Sequence, residues 1–295
     1  MDIRQLQYLL EIEKQGSISR AGEQLHLTQP TLSKMIRNLE EELGLMLFDR
    51  STRKLKATDA GRIVLSHAKS IVNALNDLIS ALEDLKQIRQ GQITLGLPPV
   101  IGSSFFPAVI SRFLQRYPGI AIQIVEEGGR EIENMIVEGN VDLGVVVMPV
   151  ENPSVAHIPL VSRKIHLVLS TAHPLAGRRK IRLEELKDES FLLFRKGFNL
   201  YDRVIDACRQ AGFEPKKAHE SAQWDMLAEM AAAGLGIAFL PETICRKLDR
   251  SRIAVIEETE PVFHWDLALI WRKDAYLSHA SNAWIEFVKR EFQVS

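Results

Sequence analysis

Residues 18–58 read ISRAGEQLHLTQPTLSKMIRNLEEELGLMLFDRSTRKLKAT, a run that parses as two short helices joined by a tight turn and followed by a basic hairpin. Leu32, Ile36, Leu39 and Leu43 recur at steps of four, three and four, which draws a single apolar stripe along a helix. Thr28 is placed to cap that helix, and Pro30 falls in its first turn, where a missing N–H costs little. Gly44 supplies the stop. Off the stripe, Gln29, Pro30, Thr31, Ser33, Lys34 and Arg37 make a face of short hydrogen-bonding groups and cations. Such a face suits the base edges and phosphates of a DNA major groove. Glu40, Glu41 and Glu42 would repel DNA, so the far end of the helix is expected to point away from the duplex. The preceding segment turns Ile18, Ala21 and Leu25 inward as a supporting helix, with small Ala21 allowing a close approach.

After Gly44, the residues Leu45, Leu47 and Phe48 have the spacing of a strand. The tip beyond them carries Arg50, Arg53, Lys54 and Lys56, with no acid between Asp49 and Asp59. A basic hairpin beside a reading helix is a wing, placed to grip the DNA backbone or enter the minor groove. Taken singly, the helix would pass for an ordinary core helix and the cluster for a solvated loop. In this order and spacing they define a winged helix-turn-helix over 1–58. Its expected DNA contacts are the helix face already named together with Arg50, Arg53 and Lys54.

The chain has 295 residues, 46% of them hydrophobic, and a formal net charge of −1. That length supports two or three units with cores of their own. The balanced charge differs from that of a protein that is nucleic-acid surface throughout, so DNA binding is expected at one end only. Met1-Asp2-Ile3-Arg4 opens an amphipathic helix rather than a signal peptide, and no apolar run approaches about 18 residues. A soluble cytoplasmic protein without a membrane partner is expected. The two cysteines, Cys208 and Cys245, make no disulfide framework.

Residues 59–89 continue as one long helical pattern capped by Thr58. Val64, Ala68, Ile71, Leu75, Leu78, Leu82 and Leu85 alternate four- and three-residue steps, a heptad seam that suggests a coiled coil. A paired helix also answers a geometric need, because two reading helices must reach half-sites about one DNA turn apart in an interrupted palindrome. Ile71, Leu75, Leu78, Leu82 and Leu85 are the expected dimer contacts. From Gln90 to Ser295 short apolar runs alternate with helical patterns: ITLGL, IAIQIVE, VDLGVVV, IHLVLS, FLLF, IAFL and DLALIW are strands. Nearly continuous apolar strands indicate a parallel sheet covered on both faces. About 200 residues of α/β pattern suggest two subdomains with a ligand cleft at the strand ends.

The segments between strand ends and helix starts are the candidate cleft lining, because a helix N-terminus offers N–H groups to an anion. They contain Val100, Gly102, Ser103 and Ser104 after ITLGL, then Arg130 and Met148, and in the second half Phe194, Arg195, Asn199, Gln223 and Trp224. Arg130 and Arg195 read as the only cations near the cleft, which makes a small carboxylate the expected effector.

The first 61 residues are similar to the N-terminal domain of LysR-type transcriptional regulators. The resemblance rests on the opening helix MDIRQLQYLLEI, then Ala21 and Leu25, TQPTLSKMIRNLEEELG, LFDR and TDAG. The architecture of that family accommodates the whole chain. It implies a linker helix that dimerises over 59–89 and a sensor over 90–295 resembling periplasmic binding proteins. The sensor's crossovers would fall near Ser162 and Trp265, dividing subdomain I (about 90–162 and 266–295) from subdomain II (about 163–265). The candidate cleft segments match by position those that touch effectors across the family. Many members carry Ser or Thr where this chain has Val100, which removes a hydroxyl. The resemblance further implies a tetramer, effector-dependent DNA bending and contact with RNA polymerase. The opening sequence also resembles regulators of acetate-linked overflow metabolism.

Other chemistry finds little support. The eight histidines are scattered without metal-ligand spacing, and Cys208 shares an apolar face with Val204 and Ile205, as a buried thiol would. There is no nucleophile elbow, phosphate loop or acid/base pair, so neither metal nor cofactor is expected. The competing reading, an enzyme or solute-binding module with an accessory arm at 1–58, lacks both a catalytic constellation and a secretion signal.

Overall fold

Caps and apolar spacing set the ends of the N-terminal helices. The computed structural model describes residues 1–49, 55–86 and 91–294, apart from the side chains at 80, 83–86 and 104. It divides into two units, Met1–Leu85 and Lys86–Ser295. In the first, Asp2 and Gln5 form a reciprocal capping box at the start of α1 (Ile3–Gln15), which buries Leu6, Leu9 and Ile12. Ser17 caps α2 (Ile18–Leu25), and Thr28 caps α3 (Gln29–Leu43), which ends at Gly44 in the left-handed conformation. Leu32, Ile36 and Leu39 of α3 are fully buried against Ala21 and α1. The turn between α2 and α3 is tight because a Cβ on Gly22 would lie 2.7 Å from the Leu27 carbonyl oxygen. His26 occupies the left-handed position that closes α2, which gives it a structural role.

β1 (Phe48–Asp49) pairs antiparallel with β2 (Lys56–Ala57) to form the root of the hairpin. Arg50, Arg53 and Lys54 lie outside the described residues. Glu40 departs from its expected place on a DNA-averse surface. It is buried, and its Oε1 accepts the backbone N–H groups of Leu47 at 2.8 Å and Phe48 at 3.3 Å. The carboxylate therefore fastens the hairpin root to the reading helix, and only Glu41 and Glu42 remain exposed at that end.

Thr58 caps α4 (Asp59–Lys86) by accepting from Gly61 N–H at 3.0 Å. The seam splits along this helix. Ala68 is buried and Val64 half-buried in the unit's own core, beside Leu65. Ile71, Leu78 and Leu82 are instead 45%, 55% and 49% exposed, while Leu75 is half-buried. The side chain of Leu85 lies outside the described set.

The second unit begins with β3 (Gly91–Gly96), α5 (Pro99–Ser104), α6 (Phe106–Arg116), β4 (Ile120–Val125), α7 (Gly129–Glu138) and β5 (Leu143–Val147). In it β3 lies parallel to both β4 and β5. The long β6 (Val155–Ser170) then leads into β7 (Lys180–Arg182), β8 (Ser190–Phe194), α8 (Asn199–Gln210), β9 (Lys216–Ser221), α9 (Trp224–Ala232) and β10 (Ile237–Pro241). After α10 (Glu242–Cys245), β11 (Ile253–Ile256) and β12 (Glu258–Glu260), the chain returns through β13 (Phe263–Arg272) to α11 (His279–Phe292). Among the described residues one sheet of nine strands runs β4-β3-β5-β13-β6-β10-β8-β9, with β11 also on β6. β13 is antiparallel to both β5 and β6, so the two subdomains share a mixed sheet rather than a purely parallel one. α11 carries the chain back to the first subdomain, where Trp284 meets Phe113 edge-on at 4.9 Å.

Of the interior strands, β10 is buried along its length and β5 over most of it, whereas β6 and β13 are buried over only part of theirs. β4 differs. It is the terminal strand of the sheet, and Ile124 is 47% exposed. An apolar run does not distinguish a covered strand from an edge. Among the described residues no helix is long and apolar enough to cross a membrane.

Removing the Glu40 carboxylate leaves two buried N–H groups without their acceptor, at about 1–3 kcal/mol for such a group. Glu40→Ala should destabilise the N-terminal unit by about 2 kcal/mol or more, and Glu40→Gln, which keeps an acceptor, by less. Denaturant titration of the full chain followed by circular dichroism checks the order.

Candidate nucleic-acid interface and ligand cleft

The outer face of α3 is assembled as its sequence implies. Gln29, Pro30, Thr31, Lys34 and Arg37 are exposed and Ser33 is half-buried. Gln29 Nε2 donates to Ser33 Oγ at 2.8 Å, and the hydroxyls of Thr28 and Thr31 lie 2.8 Å apart. These groups hold one another in place and can exchange partners with base edges. The acid at the far end is restrained too, since Glu42 pairs with the N-terminal ammonium at 2.9 Å.

In the second unit a cavity of about 30 Å³ lies between the subdomains, room for about one or two waters. Its wall is apolar: Val100 and Ile101 of α5, Val147 at the end of β5, Phe194 of β8, Leu200 of α8 and Trp265 of β13. Asn199 is the polar side chain in this lining, and its Nδ2 donates to the Val147 carbonyl at 2.6 Å. The N-termini of α7 and α8 meet the cavity at Gly129 and Asn199, and neither helix has a side-chain cap. The subdomains approach closely here. A Cβ on Gly128 would come 2.7 Å from the Gly197 carbonyl oxygen.

Of the residues expected to line the cleft, Val100, Phe194 and Asn199 do so. Ser103 and Trp224 form a latch beside it, with Trp224 Nε1 donating to Ser103 Oγ at 3.3 Å across the subdomains. Gly102, Gln223 and the side chain of Met148 are not in the lining, and the Ser104 side chain lies outside the described set. Neither arginine points its charge into the cavity. Arg130 forms an ion pair with Asp202 at 3.1 Å in a polar depression shared with Glu133 and Glu151. Burial and then the neighbouring Glu151 raise the Glu133 pKa, against the pull of Arg130. The Arg195 guanidinium lies 5.9 Å from the centre of the Phe198 ring.

A third cation, Arg203, overturns the expectation that Arg130 and Arg195 are the only ones near the cleft. It donates to the Met148 carbonyl at 2.7 Å and also to the His264 carbonyl. Its signal in the sequence is faint: a cation four residues after Asn199, hence on the same helix face. Trp265, expected at a crossover, is also a cavity wall.

Residues 3–62 match the bacterial regulatory helix-turn-helix protein, lysR family, and residues 86–293 match the LysR substrate binding domain. The uncharacterized HTH-type transcriptional regulator YwbI of Bacillus subtilis (strain 168) is 44% identical over 289 residues, covering 98% of this chain and 96% of that one. A hydrogen peroxide-inducible genes activator of Pectobacterium carotovorum subsp. carotovorum is 28% identical, covering 92% and 90%. The crystal structure of CbnR, a LysR family transcriptional regulator, superposes with a TM-score of 0.65 at 19% identity, over 99% of both chains. The fold and its two sites define a DNA-binding regulator with an effector-binding domain. The chain belongs to the LysR family of transcriptional regulators, whose members are not enzymes.

Both cysteines are buried. Burial, aided by Glu214, pushes the Cys208 thiol up to about 12, and burial does the same at Cys245. The nucleophilic thiolate is therefore scarce at neutral pH. Native protein at pH 8 should react with Ellman's reagent only slowly, and denatured protein rapidly at both positions. Fast reaction of the native chain would contradict the burial.

Proposed function

We propose that this regulator acts in the cytoplasm as a two-fold dimer that lays α3 of each copy in successive major grooves of an interrupted palindrome. The observation that carries the reading is the outer face of α3, where Gln29, Thr31, Lys34 and Arg37 are exposed and Ser33 is half-buried. Arg50, Arg53 and Lys54 add backbone or minor-groove contacts in this reading. The exposed row Ile71, Leu78 and Leu82, joined by Leu75 and Leu85, pairs the copies. Further pairing of the sensors into a tetramer, DNA bending and contact with RNA polymerase complete the proposal. A structure of CbnR complexed with its target DNA, similar at a TM-score of 0.63, is consistent with the DNA-binding part.

The effector in this reading is a small carboxylate with an apolar body, held between subdomains divided near Ser162 and Trp265, which part to admit it because the cavity as it stands has room for about one or two waters. Apolar walls suit the body, and Asn199 supplies one hydrogen-bonding group. Arg130 and Arg195 are engaged elsewhere, so the acid group would be received by N–H groups at the starts of α7 and α8. A short acid also accords with the resemblance to regulators of acetate-linked metabolism. Peroxide sensing, suggested by the name of one relative, is disfavoured because both thiols are buried with raised pKa values.

DNA selected by the wild type from a random pool provides the test. Replacing Lys34 and Arg37 by Ala should lower affinity and reduce the slope of log K against log salt by about 0.9 for each phosphate that is no longer neutralised. Ser33→Ala should instead narrow the gap between selected and mutated sites. Unchanged binding in all three variants would refute the assignment of α3. For the pairing helix, Leu78→Asp with Leu82→Asp should give monomers in light scattering, and a persistent dimer would place the interface elsewhere.

A further inference from the structure

We infer that Arg203 is a positioning residue that pins α8 to the crossover of the two subdomains and makes the hinge respond to what occupies Asn199. The inference rests on the effector reading of the cleft only in its second half. Asn199 and Arg203 stand one turn apart on α8, so their side chains leave the same face of the helix. They reach successive carbonyls where β5 ends: Asn199 donates to Val147 at 2.6 Å, and Arg203 to Met148 at 2.7 Å. Arg203 also donates to the His264 carbonyl near the start of β13. The main chain already joins those two segments, since Met148 N–H donates to the Asp266 carbonyl at 2.8 Å. One guanidinium thus grips both strands at the point where the chain passes between subdomains.

The two side chains of the pair differ in kind. The Asn199 bond joins neutral groups and faces the cavity, whereas the Arg203 bonds are charge-assisted and lie outside the apolar lining. A ligand that takes the Asn199 amide as its donor removes that amide from Val147. Arg203 stays in place, so α8 moves about a fixed point instead of drifting away from β5. The planar fork of arginine is needed for this, because it presents two donors in fixed directions to two carbonyls. A lysine at the position keeps the charge and loses the span.

Hydrogen–deuterium exchange on the full chain tests the pin without any ligand. In Arg203→Lys and Arg203→Met, peptides covering 143–149 and 263–267 should exchange at least about tenfold faster than in the wild type, as a locally opened segment does. Peptides of β8 should keep their protection, which shows that the variants are folded. Wild-type protection of 143–149 in both variants would overturn the inference. Acetate, propionate and benzoate then serve as probes in thermal shift and exchange. A probe that raises the wild-type melting temperature should alter exchange at 263–267 in the wild type and leave it unaltered in Arg203→Lys. The same alteration in both proteins would overturn the coupling. If no probe shifts the wild type, the carboxylate reading fails, and the ligand-free exchange alone decides the role of Arg203.

Discussion

Strands β6 and β13 pair antiparallel from Val155 with Arg272 to Ile165 with Phe263, and the sensor is organised around that ladder. Each strand is long enough to belong to both subdomains. On one side β5 adds to β13, and on the other β10 and β11 add to β6. If the subdomains divide beside Ser162 and Trp265 as proposed, a change in the angle between them would be taken up in this ladder, where Asp266 pairs with Ser162. The irregularity in register between Leu267 and Ala268 lies close to that point. Irregular pairing bends a strand and interrupts its ladder locally, which makes this the compliant stretch of an otherwise continuous sheet.

Much of this is legible in the chain itself. The period of Leu32, Ile36 and Leu39 fixes α3, and the caps at Thr28 and Gly44 fix its ends, because both signals are local. What the sequence conceals depends on contacts between distant segments. Glu40 has a side chain suited to solvent, and nothing nearby announces that its carboxylate accepts from the N–H groups of Leu47 and Phe48 beyond a turn. Arg203 is hidden for a related reason, since backbone carbonyls at Met148 and His264 can belong to any residue type. The heptad pattern from Val64 onward is real, yet spacing alone does not tell a helix's own core from a partner's. Ala68 belongs to the first and Leu78 is free for the second. In the cleft, the positions of Val100, Phe194 and Asn199 follow from strand ends, whereas the pairing of Arg130 with Asp202 does not.

Charge is handled differently at the two sites. On α3 the cations Lys34 and Arg37 are exposed and face solvent, which leaves their field available to a polyanion. Around the cleft, Arg130 meets a carboxylate, Arg195 a ring and Arg203 a pair of carbonyls. Side-chain charge there supports the architecture, and the cavity itself presents apolar walls, one amide and the uncapped starts of α7 and α8. A cavity of that kind discriminates mainly by size and by the position of a single polar group.

The split seam of α4 has a further meaning. Its first turns are locked into the core that carries α3, and its later turns present Ile71, Leu78 and Leu82 outward. One rigid helix thus acts as a shaft whose outward row has a fixed phase relative to the reading head. Each residue added between the two parts would rotate that row by about 100° and advance it by about 1.5 Å. Seven added residues would nearly restore the direction while lengthening the shaft by about 10 Å. If that row pairs two copies as proposed, a change in the length of α4 would alter the angle between the copies far more than their separation.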